Sequence, residues 1–182
     1  MCGITGVIGF ENFLEISETR LRNMASFLKY RGPDKEGYYI ERNTDYSVAL
    51  AHKRLSIIDL SDKADQPMHS SSGNSIIVFN GEIYNFKDLK QILQKDGVQF
   101  FSNSDTEVIL AAYETWGIDK CLAMIEGMFA FAIFDFKKKK LILARDRFGE
   151  KPLYFSQINN NIAFSSDIRS FDALNIVKEI DD

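Results

Sequence analysis

The chain has 182 residues, 22 of them basic and 26 acidic, for a formal net charge of −4 and a pI near 5.3. Roughly 150 residues make a domain, so this length gives one domain, 1–182, with a real core; 45% apolar and 26% charged residues disfavour intrinsic disorder. Mild acidity gives no electrostatic reason to bind nucleic acid or anionic lipid, and the longest apolar run, residues 128–134, is far below the ~20 residues of a membrane helix.

No basic residue precedes the apolar opening, so no secretory signal is expected, and the expected location is the cytoplasm. Two cysteines and two histidines make neither a disulfide framework nor a zinc site. Along the chain, residues 3–10 read as a buried, glycine-broken strand. Leu21, Met24, Ala25 and Leu28 recur at helical spacing behind an N-cap at Ser17, which predicts a helix to about Lys29. Strands are predicted at 37–40, 46–52 and 75–79. Phe86, Leu89, Ile92 and Leu93 mark a second helix that begins near Asn85 and ends at Gly97. Ser104 with Glu107 has the spacing of a capping box for a third helix, closed by Gly117. Four more strands follow at 128–135, 141–145, 152–156 and 161–165, with the lysine run 137–140 as a solvated hairpin turn. Near-continuous apolar strands need cover on both faces, and the elements cluster instead of alternating. The fold class is therefore α+β, a layered sandwich.

Cys2 is the first residue with chemistry to offer. Once Met1 is removed, it carries a thiol and a free α-amine on one residue. An α-amine has a pKa of about 7.7–8.0, so part of it is neutral near pH 7.5 and able to accept the thiol proton. A small strand residue is the plain alternative. Asn80-Gly81-Glu82 follows a predicted strand, where the Asn80 amide and the Gly81 N–H are candidate donors for an oxyanion. An Asn-Gly hairpin turn is the alternative there. The guanidinium of Arg54 suits a carboxylate, and Asp105, in the first turn of the third helix, suits an ammonium together with Glu82. That pairing fits a free α-amino acid, although each residue alone also reads as structural. Arg31-Gly32-Pro33-Asp34 reads as a turn, His52 as a strand-end residue, His69 as a loop residue and Cys121 as packed core.

Seven ordered segments then carry a resemblance. They are Met1-Cys2-Gly3-Ile4, Arg31-Gly32-Pro33-Asp34, Ala51-His52-Lys53-Arg54-Leu55-Ser56-Ile57-Ile58-Asp59, Asn80-Gly81-Glu82-Ile83-Tyr84-Asn85, Ser104-Asp105-Thr106-Glu107, Gly127-Met128-Phe129-Ala130-Phe131 and Arg145-Asp146-Arg147-Phe148-Gly149. Together they resemble the glutaminase domain of glutamine-hydrolysing asparagine synthetases, a class II glutamine amidotransferase. The resemblance implies the N-terminal-nucleophile hydrolase fold, a four-layer αββα sandwich with two antiparallel sheets. It implies that Cys2 attacks the side-chain amide of L-glutamine to give a glutamyl thioester and ammonia. Asn80 and Gly81 would form the oxyanion hole, Arg54 with Leu55, Ser56, Ile57 and Ile58 would hold the substrate carboxylate, and Gly81, Glu82 and Asp105 its α-amino group.

Hexosamine- and purine-forming relatives carry an arginine-tryptophan segment where this chain has Lys53-Arg54-Leu55-Ser56, which favours the asparagine-synthetase branch. Tyr30 departs from the histidine often found before the Arg-Gly-Pro-Asp turn. No glycine-rich pyrophosphate loop is present, so the expectation is an excised domain or a stand-alone glutaminase. No cofactor is expected in this domain; ATP and Mg would belong only to the missing synthetase domain. The expected partner is a synthetase domain in cis or trans that takes the ammonia, with aspartate as the favoured acceptor; an oligomer is possible. A glutamine-sensing module, or an amidase of the same fold serving another acceptor, are the competing readings.

Overall fold

Burying strands on both faces takes four layers, and the computed structural model, which describes residues 2–10, 16–55 and 62–174, has four. In chain order the elements are β1 (Gly3–Phe10), α1 (Glu18–Ser26), β2 (Lys35–Arg42), β3 (Tyr46–Arg54), a 3₁₀ turn at Asp62–Ala64, β4 (Met68–His69) and β5 (Ser75–Ile83). Then come α2 (Phe86–Lys95), α3 (Asp105–Trp116), α4 (Ile118–Met124), β6 (Gly127–Asp135), β7 (Lys140–Arg145), β8 (Tyr154–Ile158), β9 (Asn161–Ser165) and a 3₁₀ stretch at Ile168–Leu174. One sheet runs β2-β3-β1-β9-β8 and the other β4-β5-β6-β7, with every neighbouring pair antiparallel. This is the expected αββα sandwich with two antiparallel sheets.

Strand alternation divides the apolar residues among three cores. Ile4, Ile8, Val48, Leu50, Ile76, Val78, Ala132, Phe134 and Phe164 fill the gap between the sheets. Val7, Ala49, Ala51 and Ala163 face outward onto Leu21, Met24 and Ala25 of α1. Ile77, Phe79, Ile83, Phe131 and Ile133 face the other way, onto Leu89, Leu93, Val108, Ile109, Ala112 and Tyr113 of α2 and α3. Among the described residues, no helix is long and apolar enough to cross a membrane.

The sequence places the long elements well. Ser17 caps α1 by accepting from the Arg20 N–H at 3.2 Å. The helix stops at Ser26, and the chain to Arg31 continues as turns with i to i−3 bonds, Leu28 to Ala25 and Arg31 to Leu28. Three expectations change. Asn80-Gly81 is neither loop nor turn: β5 runs on to Ile83, and Gly81 pairs with Phe129 of β6. A Cβ at Gly81 would stand 2.2 Å from the Met128 carbonyl oxygen, so glycine is required by the closeness of β6. His69 lies in β4, which is too short to show any period, and Cys121 lies in α4, where its side chain is buried as expected. The capping box is absent. The Ser104 hydroxyl accepts from the Thr106 N–H at 3.1 Å, but the Glu107 carboxylate reaches past it to the N–H groups of Phe101 and Ser102, both at 2.8 Å. The Ser104 N–H donates instead to the Ser102 hydroxyl at 3.2 Å.

That geometry predicts unequal costs. Ser104→Ala removes one cap, about 1 kcal/mol, whereas Glu107→Ala takes the acceptor from both the N–H and the hydroxyl of buried Ser102 and should cost about 2 kcal/mol or more. Denaturant midpoints would measure both; equal losses would point back to a reciprocal box.

Candidate active site

Parity along three strands brings the candidate residues together. The even positions of β1, β3 and β5 face the gap between the sheets, so Cys2, His52, Arg54, Asn80 and Glu82 continue those rows. Gly3 pairs with Lys53, which sets Cys2, one residue earlier, beside Arg54, one residue later. These residues line one cleft with Leu55, Gln66, Gly81, Asp105, Thr106, Met128 and Lys151. Ser56, Ile57 and Ile58 lie outside the described residues. At about 100 Å³ the cleft is well below the ~300–1,000 Å³ of drug-sized pockets, which suits a small substrate.

The Cys2 sulfur accepts from the Leu55 N–H at 3.3 Å and lies 3.5 Å from the Leu55 carbonyl oxygen. Burial pushes this thiol above its ordinary value, while the Leu55 N–H and the Arg54 charge pull it back. At neutral pH it therefore rests protonated. Cys121, surrounded by apolar side chains, is pushed up to about 12 by burial alone. His52 does not serve as a base. Burial holds it down to about 3, so it is neutral, and its Nε2 lies 3.2 Å from the Phe79 carbonyl oxygen. A carbonyl only accepts, so Nε2 carries the hydrogen and the ring ties one sheet to the other.

Arg54 is 7% exposed and donates to Asp65 at 2.6 Å; Asp65 also takes the Lys35 ammonium at 2.5 Å. Its five N–H donors can serve Asp65 and an incoming carboxylate together. Asp105 opens α3 and is 5% exposed. Burial raises its carboxyl to about 6, held back by the N–H groups of Ile83, Thr106 and Asp105 itself, and pushed further by Glu82.

The unpaired edge of β5 fixes where its backbone donors point. Even residues of β5 bond to β6, as the Tyr84 N–H to Glu126 bond past the strand end continues, so odd residues turn their backbone groups the other way. On that edge the Phe79 N–H donates to the Gln66 amide oxygen at 2.6 Å, and the Ile83 N–H donates to Asp105 at 3.1 Å. Gly81 lies between them, so its N–H points along the same edge into the cleft. Beside it Asn80, 1% exposed, has a buried amide nitrogen with no partner among the described residues. Both residues line the one cleft, and nothing among the described residues accepts from the Asn80 amide nitrogen.

Among the polar lining residues, Gln66, Thr106 and Lys151 received no role from the sequence. The last is fixed by a loop folded around Asp146, whose carboxylate accepts from the N–H groups of Phe129, Phe148, Glu150 and Lys151 at 2.9–3.2 Å. Despite burial, those four bonds keep Asp146 below the usual carboxylate range. Nothing local in the sequence marks these residues, because their partners come from distant elements. Among the described residues, no group of three His, Cys, Asp or Glu is arranged to hold a metal.

Comparison with known proteins agrees with this geometry. Asparagine synthetase (glutamine-hydrolysing) 2 of Bacillus subtilis is 41% identical over 93% of this chain, and amidase chry2 of Gibberella zeae is 37% identical over 87%. The chain spans only 22% and 23% of their respective lengths, so it corresponds to a part of such proteins. A solved glutamine phosphoribosylpyrophosphate amidotransferase from Bacillus subtilis superposes with a TM-score of 0.73 at 20% identity, covering 96% of this chain and 44% of that one, which establishes the shared fold. Residues 1–182 match the family described as the glutamine amidotransferase domain. By its sequence, its four-layer fold and its relatives, this chain belongs to the glutamine amidotransferase domain family.

Proposed function

We propose that the domain hydrolyses the side-chain amide of L-glutamine through a thioester on Cys2 and delivers the ammonia to an ATP-dependent amidation, with aspartate as acceptor. The observation that carries this reading is the unpartnered Asn80 amide nitrogen, buried in the same cleft as the Cys2 thiol. A buried donor left without an acceptor costs about 1–3 kcal/mol. An oxyanion formed on the sulfur would supply that acceptor.

With Met1 removed, the Cys2 α-amine takes the thiol proton and sulfur attacks the amide carbon. Asn80 Nδ2 and the Gly81 N–H receive the oxyanion. Collapse breaks the C–N bond, the α-ammonium returns its proton to the leaving nitrogen, and ammonia departs. Water then attacks the thioester and frees glutamate with the thiol. Arg54 and the segment from Leu55 hold the α-carboxylate; Asp105, Glu82 and the Gly81 carbonyl hold the α-ammonium. The protonated resting thiol and the neutral His52 support an amine base, since among the described residues no side-chain base is hydrogen-bonded to the sulfur. Relatives named as asparagine synthetases support aspartate as acceptor, while amidase chry2 is a relative with a different name.

Cys2→Ala should abolish ammonia release, and so should any extension left ahead of Cys2. Full glutaminase activity in protein whose intact mass retains the extension would remove the amine from the mechanism. Asn80→Ala should lower kcat by roughly 100- to 1,000-fold with little change in glutamine affinity; a lost affinity at an unchanged single-turnover rate would make Asn80 a binding residue.

Asp105 binds an ammonium only when ionised. With its carboxyl near 6, kcat/KM for glutamine should fall about tenfold per pH unit below pH 6. Asp105→Asn should raise KM at least tenfold at pH 7.5 and lose that acid limb. The same residue sets a stability gradient. The folded state holds its proton up to about pH 6 and the unfolded chain only to about 4, so stability declines as pH rises through that window and stays low above it. Asp105→Asn should therefore melt at a higher temperature than wild type at pH 7.5, a gain of up to about 3 kcal/mol. An unchanged KM would leave Asp105 as only a helix N-terminal acid.

A further inference from the structure

We infer that Gln66 is a positioning residue that sets the oxyanion donors of β5 against the ammonium-binding carboxylate of α3, by bridging the two elements through one buried amide. The inference rests on the glutaminase reading above. Gln66 is 8% exposed, its amide oxygen accepts from the Phe79 N–H at 2.6 Å and its amide nitrogen donates to the Thr106 hydroxyl at 3.1 Å. Phe79 immediately precedes Asn80, and Thr106 immediately follows Asp105. Each end of the amide is thus one residue from a substrate-facing group.

The amide orientation is decided by chemistry. The Phe79 N–H can only donate, so the amide oxygen must face it, and the NH₂ then faces the Thr106 oxygen. A residue with one donor and one acceptor in fixed opposition is needed, and no apolar or purely acidic side chain supplies both. Gln66 is itself held firmly. Its backbone carbonyl packs on Gly37 of β2, where a Cβ would stand 1.9 Å from the oxygen, and Met68, two residues on, pairs with Ile77 of β5. The bridge is therefore anchored to both sheets before it reaches α3. At the far end of β5 the Ser75 hydroxyl donates to the Glu114 carboxylate of α3, but at the cleft end the two elements otherwise meet through apolar side chains and through the Asp105 to Ile83 bond, which the substrate ammonium must share. Apolar contacts fix distance loosely, and a displacement of 1 Å at a reacting group can cost about 100-fold in rate.

The test uses the full chain with Met1 removed, active sites being counted by titration with a glutamine-like electrophile. Gln66→Met keeps volume and removes the bridge; it should lower kcat per site at least tenfold and raise the glutamine KM several-fold. Thr106→Val cuts only the arm to α3, and should raise KM while kcat stays within about twofold. The double variant should be no worse than Gln66→Met, because both changes remove the same link. A Gln66 that only stabilises the fold would lower Tm and the titratable fraction while leaving kcat and KM per site at wild-type values. That result overturns the inference, and so do effects that multiply in the double variant. Should Gln66→Met fail to fold, Thr106→Val decides alone: a raised KM sustains the bridge and a wild-type KM overturns it. Failure of the functional reading looks different. Wild-type protein whose Cys2 is titrated by the electrophile but which releases no ammonia from glutamine removes that reading, and this inference with it.

Discussion

The site depends on where β4 stops. That strand covers β5 only at Ile76 and Ile77, so among the described residues no strand lies beside the outer edge of β5 from Phe79 to Ile83. Backbone groups buried on such an edge must find other partners. Phe79 uses the Gln66 amide and the His52 ring, and Ile83 uses Asp105. Only Gly81, between them, is left facing the cleft. Satisfying the edge and assembling the site are therefore one event, and each side chain that closes the edge is a site residue or the neighbour of one.

An energetic conflict follows from placing these groups at the end of an apolar sandwich. Asn80 is 1% exposed with an amide nitrogen that finds no partner among the described residues, and Asp105 is buried as an acid raised to about 6. Both destabilise the empty protein, and three apolar cores offset them. Donors and a carboxylate that need no rearrangement are what electrostatic stabilisation of a developing charge requires. On the proposed reading, that strain would relax when a ligand brings an oxyanion and an ammonium, a common exchange of stability for activity.

Charge around the thiol obeys the same economy of position. Arg54 and the Leu55 N–H favour the thiolate, Asp105 and burial oppose it, and burial prevails. His52 sits on the adjoining strand but is held neutral and committed to Phe79, so it ties the sheets together instead of titrating.

Much of this was legible in the chain. Local periodicity and caps located α1, α2, α3 and the long strands, because a helix period, an N-cap at Ser17 and an apolar run are properties of neighbouring residues. The residue types at Cys2, Arg54, Asn80, Gly81, Glu82 and Asp105 stated a chemistry, and the structure brings them into one cleft. What the sequence concealed has a common cause. Asn80-Gly81 has the local signature of a turn, yet pairing with β6 holds it in a strand. Glu107 has the spacing of a capping box, yet the preceding loop supplies it with better donors. Gln66, Thr106 and Lys151 carry no local signal, since their partners lie on other elements. The sequence by itself determined which chemical groups were available and which short elements would present them. The tertiary structure alone decided which groups meet, because stacking two sheets and ending β4 early sets distances between residues far apart in the chain.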